Sequence, residues 1–407
     1  MREGQDIGTR DGWVRRSLGD IASRITVRNL SDNRNVLTIS AKHGLVSQQE
    51  FFNRQVASSD LSQYYRLERG DFAYNKSYSA GYPAGVVRRL ERYEAGVVSP
   101  LYICFRVNGE GADPGFISHY FESGIMNDSI LRIAKEGARN HGLLNVKVDD
   151  FFSLEINLPE PEEQRCIAEA LDAVDRSILD AEMVELKQRQ ATSDLVSVAL
   201  SRMRHDYVQL RDCVRPGIPI GYGIVQAGPH VEDGVPYIRT GDMSGDIIDP
   251  DSLLKTSPEI SQSYARTRVV AGDLVVTIRA TVGKVMMVTP ELDGVNLTRG
   301  TARVAPSDAL APGYLLWALR SKRAQEQFAA AVKGTTFSEI TLDQLRDLTV
   351  PIARERTDQE MLVRLMDAST RRSAVEQAVI SKLRSLKRSL VDDLLAGRVR
   401  VDVGAGR

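Results

Sequence analysis

Cysteine is scarce in this chain: there are three in 407 residues, Cys104, Cys166 and Cys213, far apart and each among apolar neighbours. Such thiols read as buried filler rather than as redox or metal chemistry. Histidine is equally sparse. The five, at positions 43, 119, 141, 205 and 230, form no His-x-x-x-His or Cys/His cluster, so no metal site is expected, and His119 falls on an apolar helix face as a core residue would. Long apolar runs are missing too, Leu274-Val275-Val276 being typical. A membrane span needs roughly 18 such residues, and the opening MREGQDIGTRDGWVRR has no signal-peptide core, so no membrane is expected and the cytoplasm is the default location. Net charge is only −1, without the Lys/Arg excess that advertises a nucleic-acid binder. Any DNA contact must therefore rest on local features or on a partner. GYGIVQAG (221–228) lacks the Gly-Lys-Ser/Thr ending of a phosphate loop, and no Asn/Asp-Pro-Pro-aromatic motif of an amino-methylating enzyme occurs. What is present is ordinary globular composition, 42% apolar and 26% charged, which excludes global disorder. The length exceeds one ordinary core and predicts two globular units.

The chain also echoes itself. RSLGDIA (16–22) is answered by VQLRDCV (208–214), Gly70-Asp71-Phe72 by Gly272-Asp273-Leu274, and GVVSPLYICFRV (96–107) by GVNLTRGTARVAP (294–306). PGFISHYFES (114–123) pairs with PGYLLWALRS (312–321), and Leu158-Pro159 with Val350-Pro351. The pairs keep one order and an offset of roughly 195 residues, the signature of a duplicated unit. LVVTIRATVGKVMMV (274–288) alternates β-branched residues around a polar turn, VPYIRT (235–240) reads as a strand, and helices are expected over 114–126 and 312–331. This mixed order predicts an α/β (α+β) domain of about 150 residues in each half.

Each half ends in a long helix, since neither glycine nor proline interrupts the chain between Pro161 and Pro216 or between Pro351 and Gly397. Pro161 suits a first helical turn, Glu162 and Glu163 complement its dipole, and Gly397 can take the left-handed cap. Ile167, Leu171, Val174 and Ile178 recur at spacings of four, three and four, and Val379, Leu383, Leu386 and Leu390 repeat that spacing. A helix from 162 to 203 would run roughly 60 Å, and one apolar stripe that long needs something to lie against. The alternatives are each helix's own domain or the other helix. The second is favoured, with an approximate two-fold axis making the pair an antiparallel coiled coil.

LPEPEEQRCIAEALDAVD (158–175), VPYIRTGDM, GDLVVTIRATVGKVMMV, GTTFSEITLDQLRDLTVPI (334–352) and SLVDDLLAGRVRV (389–401) together resemble the specificity subunit of type I restriction-modification systems. The second helical region departs from the usual Pro-x-x-Glu-Gln start, with ARERTDQEM keeping only Asp358-Gln359. The resemblance implies two target-recognition domains, 1–157 and 207–349, two conserved helical spacers, 158–206 and 350–400, and a tail at 401–407. It implies a DNA-binding subunit without catalysis of its own, each domain reading one half of a bipartite, asymmetric sequence in double-stranded DNA. The helices would set the gap and dock modification (methyltransferase) subunits, two of them, which carry S-adenosylmethionine and methylate adenine. Restriction (translocase/nuclease) subunits are further members of such complexes. No cofactor is expected in this chain itself.

Base readout needs Arg, Lys, Asn, Gln or small polar groups on loops that reach a groove. YNKSYSAG (74–81) follows a strand and offers Asn75, Lys76, Ser77 and Tyr78; EGARNHG (136–142) offers Arg139, Asn140 and His141. The matching positions of the second half are IRATVGK (278–284), with Arg279, Thr281 and Lys284, and KGTTFS (333–338), with Lys333, Thr335 and Thr336. Two alternatives from other classes remain on this reading, a protein-binding scaffold and a free-standing DNA methyltransferase.

Overall fold

Both halves open on a strand whose partner comes from the far end of the same half. Val14–Ser17 pairs antiparallel with Glu155–Leu158, in the register Val14 to Leu158, and His205–Gln209 pairs antiparallel with Thr349–Ala353, in the register Tyr207 to Pro351. The computed structural model describes residues 12–40, 44–52, 60–78, 81–109, 111–134, 142–243, 248–332 and 338–401. The chain divides into two units, Met1–Asp180 with Ile380–Arg407, and Ala181–Val379. The sequence boundaries at 158 and 350 fall just ahead of the long helices, whereas the units divide inside them.

One plan builds each unit. In the first, a four-stranded antiparallel sheet runs in the order Ala22–Arg24, Ile103–Val107, Phe72–Asn75, Val86–Arg89; in the second the order is Gly221–Tyr222, Thr301–Val304, Leu274–Thr277, Val285–Met287. The expected hairpin around 278–284 is thus present, and the strand expected at 235–240 covers Val235–Ile238. Around this shared sheet the units differ. Tyr65–Glu68 pairs antiparallel with Ala95–Val98, whereas Val235–Ile238 pairs in parallel with Asn296–Leu297 and antiparallel with Lys255–Thr256.

The repeated Gly-Asp pair explains itself structurally. Gly70 and Gly272 sit at φ +95° and +89°, a left-handed turn that disfavours any side chain. The aspartate that follows is fully buried and holds an arginine from the neighbouring strand. Asp71 accepts from Arg106 Nε at 2.6 Å and from the backbone N–H of Glu68 at 2.7 Å; Asp273 accepts from Arg303 Nε at 2.7 Å, from Arg215, and from the N–H of Val270 at 3.0 Å. A buried carboxylate survives because a guanidinium and backbone donors replace its water.

The cores differ in kind. Unit one stacks aromatics, Phe72 on Phe105 at 5.0 Å and Tyr74 on Phe151 at 4.8 Å, while unit two relies on Val, Leu and Ile around Tyr314, Trp317 and Phe328. His119 is buried, as expected, with Nε2 2.8 Å from Asp172. Cys104 and Cys213 are buried and Cys166 half-buried, all three as free thiols. The helix expected over 312–331 breaks at Ser321, whose hydroxyl accepts from the Ala324 N–H and starts a second segment.

The long helices cover Pro161–Arg202 and Arg356–Leu390, the second running into a single π turn, Val391–Leu395, before Gly397 takes φ +63°. A buried glutamine near the start of each fastens it to its globular part. Gln164 Oε1 accepts from the N–H of Asp113 at 2.8 Å, and its amide nitrogen donates to the carbonyls of Gly111 and Pro159. Gln359 Oε1 accepts from the N–H of Ala311 at 2.8 Å, and its nitrogen donates to the carbonyl of Ala353 at 2.8 Å. The departed motif at 353–361 therefore keeps its working residue.

Within each unit the two helices meet in antiparallel sense. In unit one Lys387 Nζ reaches Asp175 at 2.6 Å; in unit two Gln377 Nε2 donates to Glu185 at 3.4 Å and Thr192 Oγ1 lies 2.6 Å from Ser369 Oγ. Ile167 and Leu171 are buried in the unit-one core together with Leu394 and Leu395, and Leu390 packs against it; Val174, Ile178 and Leu383 are half-buried. Val379 and Leu386 are corrections: they are 42% and 48% exposed, and Ile380 takes the buried position. The stripe facing the partner carries Ser369 and Gln377, so the apolar residues of the adjacent stripe mimic the spacing of a seam.

Candidate nucleic-acid interface

In both units the hairpin end leaving the central strand is stitched to the segment that precedes the closing elements. The Leu144 N–H donates to the Lys76 carbonyl at 2.9 Å and the Tyr78 N–H to the Gly142 carbonyl at 2.8 Å. In unit two the Ile340 N–H donates to the Ile278 carbonyl at 3.0 Å and the Ala280 N–H to the Ser338 carbonyl at 2.9 Å. Ser77 thus faces Leu143 where Arg279 faces Glu339. These bonds bring the strand-following loop of each half beside the edge of its second predicted cluster, in the same way twice.

Individual candidates are placed as follows. Asn75 ends its strand and its Oδ1 accepts from the Ser77 N–H at 3.1 Å, which tightens the loop; Lys76 is half-buried, and Ser77 and Tyr78 are exposed. Arg279 Nε lies 3.2 Å from Glu339. Thr281 is exposed and its carbonyl accepts from the Thr277 hydroxyl, while half-buried Lys284 re-enters the hairpin through its backbone pairing with Thr277. Arg139, Asn140, His141, Lys333, Thr335 and Thr336 lie outside the described residues. Ala280 takes φ +60°, a left-handed conformation costly for a residue with a Cβ and imposed here by its bond to Ser338.

Sequence reasoning missed a second strip beside Arg279. Gly300 packs so closely that an added Cβ would lie 2.6 Å from Thr240 Oγ1 and 3.9 Å from Arg279 Cβ. Its carbonyl accepts from the Ile278 N–H at 2.9 Å and from Thr240 Oγ1 at 3.2 Å. The signal in the sequence was the Thr-Arg-Gly of 298–300, polar residues between two short apolar stretches. Among the described residues no group of His, Cys, Asp or Glu is arranged to hold a metal ion, and no helix is long and apolar enough to cross a membrane.

These features define the class: a duplicated α/β protein whose units share one backbone plan and expose unlike side chains at equivalent loops. Residues 228–385 match the family described as Type I restriction modification DNA specificity domain, and the resemblance read from the sequence is borne out over that stretch. The chain is 27% identical over 197 residues to the Type I restriction enzyme EcoBI specificity subunit of Escherichia coli, a stretch that is 48% of this chain and spans only 41% of that relative. In fold it is similar to a structure of a type I restriction-modification system described in terms of complex assembly and conformational transition, with TM-score 0.52, 18% identity, and 96% of this chain and 99% of that one covered. It is also similar to the specificity subunit of a type I restriction-modification system from M. genitalium, with TM-score 0.50, 14% identity and coverage of 97% and 98%. The expected architecture, mixed α/β units with a pair of long helices, is the one observed.

Proposed function

We propose that the chain is the DNA-reading specificity subunit of a type I restriction-modification complex. Each unit reads one half of a bipartite, asymmetric target. The observation that carries this is the loop equivalence, in which one backbone arrangement presents Ser77 opposite Leu143 in one unit and Arg279 opposite Glu339 in the other. Equal frames with unequal side chains suit two different half-sequences, since base edges are told apart by the donors and acceptors offered to them. The length of helix between the units sets the gap between half-sites, and the helices dock two modification subunits, with restriction subunits as further partners in the cytoplasm. Catalysis and S-adenosylmethionine belong to the modification subunits, and this chain contributes no cofactor site.

The test is to co-express the chain with its modification subunits and map methylated adenines across a genome. A single bipartite motif, lost when this chain is omitted, is the expected result. Methylation by the chain alone, or heat from S-adenosylmethionine titrated into it, would instead make it an enzyme, and methylation without a motif would leave it a scaffold.

A further inference from the structure

Arg299 differs from three other arginines of unit two. Arg239 is held by Asp242 at 2.7 Å, Arg279 by Glu339, and Arg303 by Asp273. Arg299 is exposed, and its side chain has no hydrogen bond or ion pair to any described residue. Its backbone is nonetheless fixed on every side. The Arg299 N–H donates to the Ile224 carbonyl at 2.9 Å, the Thr298 N–H to the Ile238 carbonyl at 3.1 Å, and the Thr301 N–H back to the Thr298 carbonyl at 3.1 Å. The Gly300 carbonyl accepts from Ile278 and Thr240, and the close approach that only a glycine permits there puts this turn against Arg279.

We infer that Arg299 is a phosphate-binding residue of the unit-two DNA face, flanked by Thr240. The inference rests on the proposed DNA-reading function and names a contact within it. A chain with a net charge of −1 cannot attract the duplex through overall charge, so phosphate contacts fall to individual cations whose charge is not already used. Arg279 would have to break its pair with Glu339 first, whereas Arg299 has no such pair to break among the described residues. A rigid turn holds the guanidinium's anchor point in place, so little backbone ordering is lost on binding.

The experiment uses the complex of this chain with its modification subunits and duplexes carrying the mapped motif, with binding followed by fluorescence anisotropy over a salt series. Arg299→Ala is expected to weaken binding roughly tenfold or more, equally for variants of either half-site, and to lower the slope of log K against log salt by about 0.9. Arg299→Lys is expected to restore most of the affinity, because a phosphate accepts either cation. The melting profile reported by Trp317 is expected to stay unchanged, since the side chain is exposed and makes no hydrogen bond or ion pair to any described residue. A loss confined to one base pair would overturn the phosphate assignment in favour of base reading. Unchanged affinity beside selective wild-type binding would overturn the inference alone. A wild-type complex that selects no sequence would remove both the inference and the function on which it rests.

Discussion

Replacing Gln359 by alanine isolates one of the two locks that fasten the long helices to their globular parts. The side chain is 4% exposed and satisfies two main-chain groups, the N–H of Ala311 and the carbonyl of Ala353, both on buried residues. Each orphaned buried group costs about 1–3 kcal/mol. With partial relief from water entering near the helix start, a loss of about 3 kcal/mol is expected, and at 2–4 °C per kcal/mol for a unit of this size Tm should fall by roughly 6–12 °C. The chain has two tryptophans, Trp13 buried in unit one and Trp317 buried in unit two, so Trp13→Phe and Trp317→Phe backgrounds give one reporter per unit. Gln359→Ala should lower the fluorescence midpoint seen by Trp317 and leave that seen by Trp13 nearly in place; Gln164→Ala should do the reverse. An unmoved Trp317 midpoint, or equal shifts in both reporters, would refute the assignment of the glutamine to its own unit.

Other outcomes follow from the same geometry. Asp273→Asn leaves the buried Arg303 guanidinium without its counter-charge and should cost about 3–5 kcal/mol in the Trp317 transition. Burial pushes the thiols of Cys104 and Cys213 up to about 12, so at pH 8 both stay protonated; a disulfide reagent should modify Cys166 first in the folded chain and all three thiols in denaturant. Lys76→Ala and Arg279→Ala should each weaken DNA binding by about 1–3 kcal/mol, confined to one position if the residue reads a base and uniform if it touches phosphate. Deleting seven residues within 176–203 shortens the first helix by about 10 Å. Methylation mapping should then show the gap between half-sites reduced by about 3 base pairs with each half unchanged, and an unaltered gap would end the idea that the helix measures it.

Much of this architecture was legible because the chain repeats a physical solution. Gly-Asp, Pro-Gly-aromatic and the helix-opening glutamine recur at one offset, and each proves to be a turn, a helix start or a lock whose geometry tolerates few alternatives. The hairpin around 278–284 was legible for a similar reason, with alternation on both sides of a polar turn. The helix seam was only half legible. Where the facing stripe turns polar at Thr192, Ser369 and Gln377, apolar spacing no longer distinguishes it from its neighbour, and Val379 and Leu386 were placed one stripe away from the contact. Arg299 escaped notice because it differs from Arg279 and Arg303 only in that those two are engaged by carboxylates, and those pairings join residues distant in sequence.

The way unit one is closed has a consequence for its biogenesis. Leu394 and Leu395 lie in the same apolar cluster as Trp13 and Phe116, and Arg400 pairs with the buried Glu163 at 3.1 Å. Of the two units, the one whose synthesis begins earlier is therefore completed later. A ribosome adding about 5–20 residues per second needs roughly 10–40 s to synthesise residues 181–379, and the nascent Met1–Asp180 waits through that interval with an unsealed apolar surface. Unit two, contiguous in the chain, has no such delay, so premature termination late in translation would spare it and leave the earlier-born half to the cell's chaperones.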